Sequence, residues 1–258
     1  MAEITTVTFD LWQTLLLDER DLGQARALVR LEAARTEIED FGESYDLEAI
    51  NGAYMSCFQQ CRELREKGLD VDFREQVSIF VNHISPGLVD RLERNDSRYM
   101  NEIARHYSDS FLVHPPPAHE DAVRVLQGVT DLGLRIGLIS NTGMTPGFTF
   151  RAYLEERGML KYFHTLIFSD EVKLAKPAAA IFLMTLRQME ATPEQTIHVG
   201  DHVMNDVVGA KRCGMKTVWI SGFDERKDPN DPESEPDITV SKLAEVLPAI
   251  AKLAGRTA

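Results

Sequence analysis

Cysteine, positive charge and long apolar runs are all scarce in this chain. Its 258 residues include three cysteines, Cys57, Cys61 and Cys213. They are too few and too unevenly spread for a disulfide framework, which suits a reducing compartment. Cys57 and Cys61 stand four apart on one face of a predicted helix with no further ligands at matching spacing, so they read as packing and not as half of a metal site. The net charge of −13 argues against a nucleic-acid partner, because binding a polyanion draws on clustered Lys and Arg. An anionic substrate must therefore be held by local charge. No apolar run approaches the ~18 residues that span a bilayer, and "MAEITTVTFD" lacks a basic segment followed by a long apolar core. The expectation is a soluble, cytoplasmic protein without membrane or nucleic-acid partners; oligomeric state is not readable.

What the chain does have is two kinds of patterning. Short β-branched runs, "LRIGLIS" (134–140), "HTLIFSD" (164–170), "TIHVGD" (196–201) and "KTVWIS" (216–221), each precede a turn and a helical stretch. This alternation predicts βαβ units and a parallel sheet, to which "TTVTFD" adds an isolated first strand. Between that strand and "RIGLIS" the periodicity is helical, over 22–42, 47–68, 73–84 and 98–113, with Gly42 and Gly68 placed as C-terminal caps. The prediction is an α/β fold, a doubly wound parallel sheet formed by residues 1–14 and 114–258, with an all-helical bundle inserted over 15–113. The insert carries 12 basic and 20 acidic residues, so it offers no broad basic patch. It ends at "HPPPAHEDA" (114–122), where Pro117 or Ala118 can start the next helix. The acidic, proline-rich stretch 223–237 reads as a surface loop before a last strand, "DITV", and a terminal helix.

In an open parallel sheet ligands bind beyond the carboxyl ends of the strands. The polar residues predicted there are Asp10 and Thr14, then Ser140, Asn141 and Thr142, then Lys173 and Lys176, and finally Asp201 and Asp206. Singly, each is an ordinary turn or capping residue. Together they supply the parts of phosphoryl transfer. Asp10 is placed to attack phosphorus if a cation screens its charge. Asp201 and Asp206 suit Mg²⁺, which takes one or two carboxylates plus waters. A lysine and the Ser140 hydroxyl would hold the transferring oxygens. No Gly-rich nucleotide loop is present, and "GLISN" is not the elbow of a serine hydrolase. The histidines, His83, His106, His114, His119, His164 and His198 among them, show no readable pairing with a nucleophile. His202 follows the acidic motif and reads equally as a helix start.

With these residues in place the chain resembles the haloacid dehalogenase superfamily over nearly its whole length. "FDLWQT" corresponds to the nucleophile strand, "LISNT" to the strand ending in Ser or Thr, "KLAKP" to the lysine motif and "HVGDHVMNDVVGAKRCGM" to the acidic motif. The resemblance implies Asp10 as nucleophile, Thr14 and Ser140 as positioning groups and Lys176, ahead of Lys173, as charge neutraliser. It also implies a Mg²⁺ site of Asp10, Asp201, Asp206 and the backbone carbonyl of Trp12, and a helical cap that closes over the site. Trp12, Gln13, Asn141 and Thr142 are the expected substrate neighbours, and the substrate a small phosphorylated or acidic molecule.

The first motif departs from the family pattern. Family phosphatases usually carry a second Asp two residues after the nucleophile, and here that position is Trp12, followed by Gln13 where glycine is common. An indole N–H donates a hydrogen bond but is no useful acid near neutral pH, and a missing general acid costs roughly 10²- to 10⁴-fold in rate for a poor leaving group. Trp12 either lines the substrate pocket or fills space between core and cap. An aromatic residue here is similar to the dehalogenases, which expel halide and need no acid. The acidic motif is similar to the phosphatases, because Asp201 beside Asp10 calls for a cation between them. Three readings stay open: a Mg²⁺-dependent phosphatase, a 2-haloacid dehalogenase, and a weakly catalytic protein that binds a phosphate ligand. Arg26 and Arg30, on one helix, could meet an anionic group, but such spacing usually marks a solvated face.

Overall fold

The computed structural model describes residues 2–222 and 232–257, so 223–231 of the expected polar loop lie outside the described residues. Six strands, β1 (Thr6–Phe9), β2 (Arg135–Ser140), β3 (Thr165–Phe168), β4 (Thr196–Gly200), β5 (Lys216–Ile220) and β6 (Ile238–Val240), form one sheet in the order β3-β2-β1-β4-β5-β6. Every pairing is parallel. The β-branched and aromatic strands are buried on both faces, as a sheet covered by helices on each side requires. Val7, Phe9, Ile136 and Leu138 point into the larger core, while Ile139 and Ile167 point into the opposite one.

Five helices separate β1 from the rest of the core: α1 (Arg20–Phe41), α2 (Leu47–Glu66), α3 (Phe73–Ile84), α4 (Leu88–Asn95) and α5 (Arg98–Val113). The short α4 was not foreseen. Asp46 caps α2 through the Ala49 N–H and Asp72 caps α3 through the Glu75 N–H, while Gly42 ends α1 in the left-handed region. The insert has its own hydrophobic core, with Leu31, Ile38, Phe80 and Tyr107 at its centre, and Cys57 and Cys61 are buried within it. The remaining helices are α6 (Ala122–Asp131), α7 (Gly147–Glu156), α8 (Ser169–Val172), α9 (Ala179–Gln188), α10 (Gly209–Arg212) and α11 (Val246–Ala254). α6, α7 and α11 cover one face of the sheet, α9 and α10 the other.

Two expectations need correction. No helix starts at Pro117 or Ala118. Leu17 N–H donates to Pro117 O and His119 N–H to Leu15 O, so this segment runs extended beside the chain leaving β1, and α6 begins at Ala122. The two crossings between sheet and insert thus lie side by side. Nor are Arg26 and Arg30 on a solvated face. They are 5% and 3% exposed, because the side of α1 that carries them packs on α5 and on Trp12. Arg26 reaches the carboxylate of Asp18 and the carbonyl of His114.

A second seam ties insert to core. Ala175 N–H donates to Gly68 O at 3.0 Å and Asp70 N–H to Lys173 O at 3.2 Å, while Ser169 Oγ donates to Asp70 Oδ2. Gly68 sits at φ +78°, and a Cβ there would lie 2.6 Å from the Cβ of Ala178. Gly68→Ala therefore combines a left-handed backbone with a close contact and is expected to destabilise the fold by about 1–3 kcal/mol. Chemical denaturation of the two proteins checks this.

Candidate active site

The chain beyond β1 is held by its own turn. Asp10 N–H extends the ladder to Val199 O at 2.8 Å, and the N–H groups of Leu15 and Leu16 both return to Leu11 O. Gln13 takes φ 54° at the tip. Buried Leu11, Leu15 and Leu16 anchor the turn in the core, which leaves Asp10 at the sheet edge, 5% exposed. Chain order reverses on either side of β1, so the ends of β1, β2 and β4 converge on one crevice.

Lys176 occupies the centre of that crevice. Its Nζ lies 2.5 Å from Asp10 Oδ1 and 2.6 Å from Asp206 Oδ1, and all three side chains are buried. Asn141 fixes the lysine from behind, its Nδ2 donating to Lys176 O at 2.9 Å and its Oδ1 accepting from Lys176 N–H at 2.8 Å. Asp206 is reached through a π-helical turn, Val203–Val208, which replaces the ordinary helix start expected after Asp201. Its Oδ2 accepts from His202 N–H and its Oδ1 lies 3.1 Å from His198 Nε2. Gly200 permits this fold-back, since a Cβ there would lie 2.3 Å from Asp206 Cγ.

His198 is the site residue that the sequence did not disclose. On β4 it is paired in register with Thr8 of β1, and its Nδ1 lies 2.8 Å from Thr8 Oγ1. An acceptor-only carboxylate on Nε2 makes that nitrogen the donor, so Nδ1 accepts from the threonine. Burial lowers the His198 pKa, the Asp206 carboxylate notwithstanding. The available signal was two polar residues in matched register facing an apolar helix, and it needed the strand pairing to be seen.

The electrostatics are lopsided. Burial raises the Asp10 pKa, the Lys176 ammonium opposes it, and Asp206 raises it further. Burial would also raise Asp206, but Lys176 and His198 outweigh it and hold the carboxyl below its usual range. Lys176 is held above its ordinary value because Asp10 and Asp206 outweigh its burial. Asp201, 8% exposed, forms no ion pair among the described residues, and burial, then Asp10 and Asp206, push it well above the carboxylate range. Oxygens of Asp10, Asp201 and Asp206 lie within 4.8 Å of one another. Three buried carboxylates against one lysine make a hard-oxygen donor set short of one cation, and the residues present fit a divalent ion.

The other expected residues divide. Ser140 is fully buried at the end of β2, and the buried Thr14 hydroxyl has no hydrogen-bond partner among the described residues. Trp12 meets Phe111 and Phe150 edge-on at 5.9 and 5.3 Å and also lines a cleft of about 960 Å³ with Asn141, Lys176 and His202; it both packs and faces the pocket. Arg62 and Arg65 of α2 close the same cleft from the insert. The Gln13 amide donates to Asp18 O and the Thr142 hydroxyl meets Ser169 Oγ at 3.2 Å. Lys173 pairs with Asp72 on the surface.

Lys176→Met would leave two buried carboxylates unpaired and is expected to cost about 3–5 kcal/mol, measured by denaturant titration at pH 7. A second acid gives a pH test. Asp170, just past β3, is buried and accepts from Gly147 N–H, and burial pushes its pKa up to about 6. Between the ordinary carboxylate value and that one the folded state holds the extra proton, so stability falls as pH rises through the window, by about 3 kcal/mol in all. Asp170→Asn keeps an acceptor for Gly147, and its melting temperature should exceed the parent's at pH 7.5 and match it below pH 4.

Comparison with known proteins adds to this geometry. The family model described as haloacid dehalogenase-like hydrolase matches residues 4–214. A glyceraldehyde 3-phosphate phosphatase of Methanopyrus kandleri is 28% identical over 57% of this chain and 62% of its own. A phosphoserine phosphatase of Thermus thermophilus is 33% identical over 50% of each. The chain thus spans less than two thirds of either relative. A solved 2-haloacid dehalogenase of Pseudomonas syringae has a TM-score of 0.69 at 20% identity, over 96% of this chain and 99% of its own, a likeness of fold alone. With more than two thirds of the sequence under one family model, and Asp10, Lys176, Asp201 and Asp206 gathered at one sheet edge, this chain belongs to the haloacid dehalogenase-like hydrolases.

Proposed function

We propose that the protein is a Mg²⁺-dependent phosphatase that moves a phosphoryl group from a small phosphorylated metabolite to Asp10 and then to water. The observation that carries this reading is Asp201, a third buried carboxylate beside Asp10 with no ion pair among the described residues. A halide-expelling site has no use for it, whereas a cation site does. Bound Mg²⁺ would screen the carboxylates from an incoming phosphate and polarise its oxygens. Asp10 and Asp201, with the backbone carbonyl of Trp12, would hold it. Asp206, whose oxygens already meet Lys176, His198 and His202, contributes charge and fixes the lysine.

Asp10 attacks phosphorus while Lys176 neutralises the oxygens of the transferring group, and the Ser140 and Thr14 hydroxyls orient them. Residues 15–113 act as the cap over a core of 1–14 and 114–258, with Trp12, Asn141 and the α2 arginines facing the substrate. The leaving oxygen departs without an internal acid, because Trp12 has no proton to give. Good leaving groups are therefore favoured. The phosphatase names of the relatives support the reaction class; the aromatic Trp12 favours the dehalogenase as the second reading.

The test compares acetyl phosphate, p-nitrophenyl phosphate and an alkyl phosphate with Mg²⁺ or chelator. Turnover should require Mg²⁺, vanish in Asp10→Asn, and fall in that order of substrates, the alkyl ester losing roughly 10²-fold or more. Chloride release from a 2-chloroacid in the presence of chelator would instead establish the dehalogenase.

A further inference from the structure

A second cavity, of about 440 Å³, shares Trp12 and Gly143 with the catalytic cleft and opens between α1, α2 and the loop after β2. Its size falls in the range of small-molecule sites. Met55, Phe58 and Met144 supply apolar wall, and Met55 and Phe58 are themselves 53% and 38% exposed, large apolar groups left partly in water at the rim.

Arg30 supplies the polar end. It is 3% exposed, and its acceptors are all uncharged. Nε donates to Tyr107 O and Ser110 Oγ, Nη1 to Tyr54 OH and Nη2 to Thr145 Oγ1. The guanidinium also lies 4.5 Å over the Tyr107 ring. A guanidinium has five N–H groups, so one on each terminal nitrogen has no acceptor among the described residues, and no carboxylate there pairs with Arg30. The contrast is one turn away, where Arg26 neutralises Asp18 on the same wall. A buried cation without a counter-ion is costly, and here it borders a cavity.

We propose that this cavity seats a small amphiphilic monoanion, its carboxylate or phosphate on Arg30 and its apolar body on Met55, Phe58 and Met144. The shared wall at Trp12 and Gly143 allows two sources for such a group. It is either a separate effector or the far end of a substrate whose phosphoryl group sits at Lys176.

Calorimetric titration with hexanoate, using hexan-1-ol as the uncharged control, tests the seat without requiring turnover, so its failure is separate from failure of the phosphatase reading. Saturable binding of hexanoate is expected, at least tenfold tighter than of the alcohol. Arg30→Met should abolish that preference. Because Arg30 also bridges helices, Met55→Glu at the exposed rim is the second variant; both ligands lose an apolar contact, and the added negative charge should weaken hexanoate at least severalfold more than the alcohol. No saturable uptake of millimolar hexanoate, equal binding of the alcohol, or hexanoate binding unchanged in Met55→Glu would overturn the proposal. With p-nitrophenyl phosphate as substrate, competitive inhibition by hexanoate assigns the seat to the substrate, and a change in maximal rate alone assigns it to an effector.

Discussion

The structure depends on one ammonium group. Lys176 Nζ is the one ammonium paired with the acids at the sheet edge among the described residues, and it binds Asp10 and Asp206 at once. A lone buried carboxylate is unstable as an anion, and two at this separation more so. The lysine keeps Asp206 ionised and opposes the protonation of Asp10 that burial would otherwise impose. On the proposed reading of Asp10 as nucleophile, which must be an anion to attack, the same contact that stabilises the site would also prepare its chemistry.

Holding that ammonium in place requires several unusual local features. Asn141 clamps the Lys176 backbone with both ends of its amide, which makes a residue at the end of one strand the support for a side chain from a loop beyond another. Asp206 points back under β4 because the backbone winds one residue wider over Val203–Val208 and because Gly200 has no Cβ in its path. π-helical turns are costly in regular helices and recur at functional sites. His198 and Thr8 then complete the shell of Asp206 from the buried face of the sheet.

How much of this was legible in the sequence follows from the range of each signal. β1, β2, β4 and β5 were readable because fully buried strands write continuous β-branched runs, and the insert because helical periodicity persists over many turns. Asp10 and Asp201 stood out as polar residues at strand ends, and Lys176 and Asp206 through the resemblance of "KLAKP" and the acidic motif to those of the family; the structure brings Lys176 against Asp10 and Asp206, with Asp201 beside them. What was hidden depends on pairing between distant segments. His198 acquires a role only through register with Thr8. Arg26 and Arg30 looked like a solvated face because one helix alone does not reveal that α5 and Trp12 cover it. The prolines near 115 suggested a helix start, whereas the outgoing chain at 15–17 claims that backbone for an extended pair.

Trp12 stands where insert, core and both cavities meet. Its ring is wedged edge-on between Phe111 of the insert and Phe150 of the core, Arg26 lies over it, and it borders both cavities. An aspartate there would place a fourth carboxylate near Asp10, Asp201 and Asp206 and would remove aromatic contacts worth about 0.5–1.5 kcal/mol each beyond burial. The indole therefore exchanges a proton donor for a fixed wall between insert and core. For the phosphatase proposed above, such a wall would leave protonation of the departing group to the substrate or to water, and it would offer an apolar portion of the substrate a surface to rest on. On that proposal selectivity and rate would be set on the two sides of a single ring, with the charge chemistry at Lys176 and the recognition chemistry on α1 and α2.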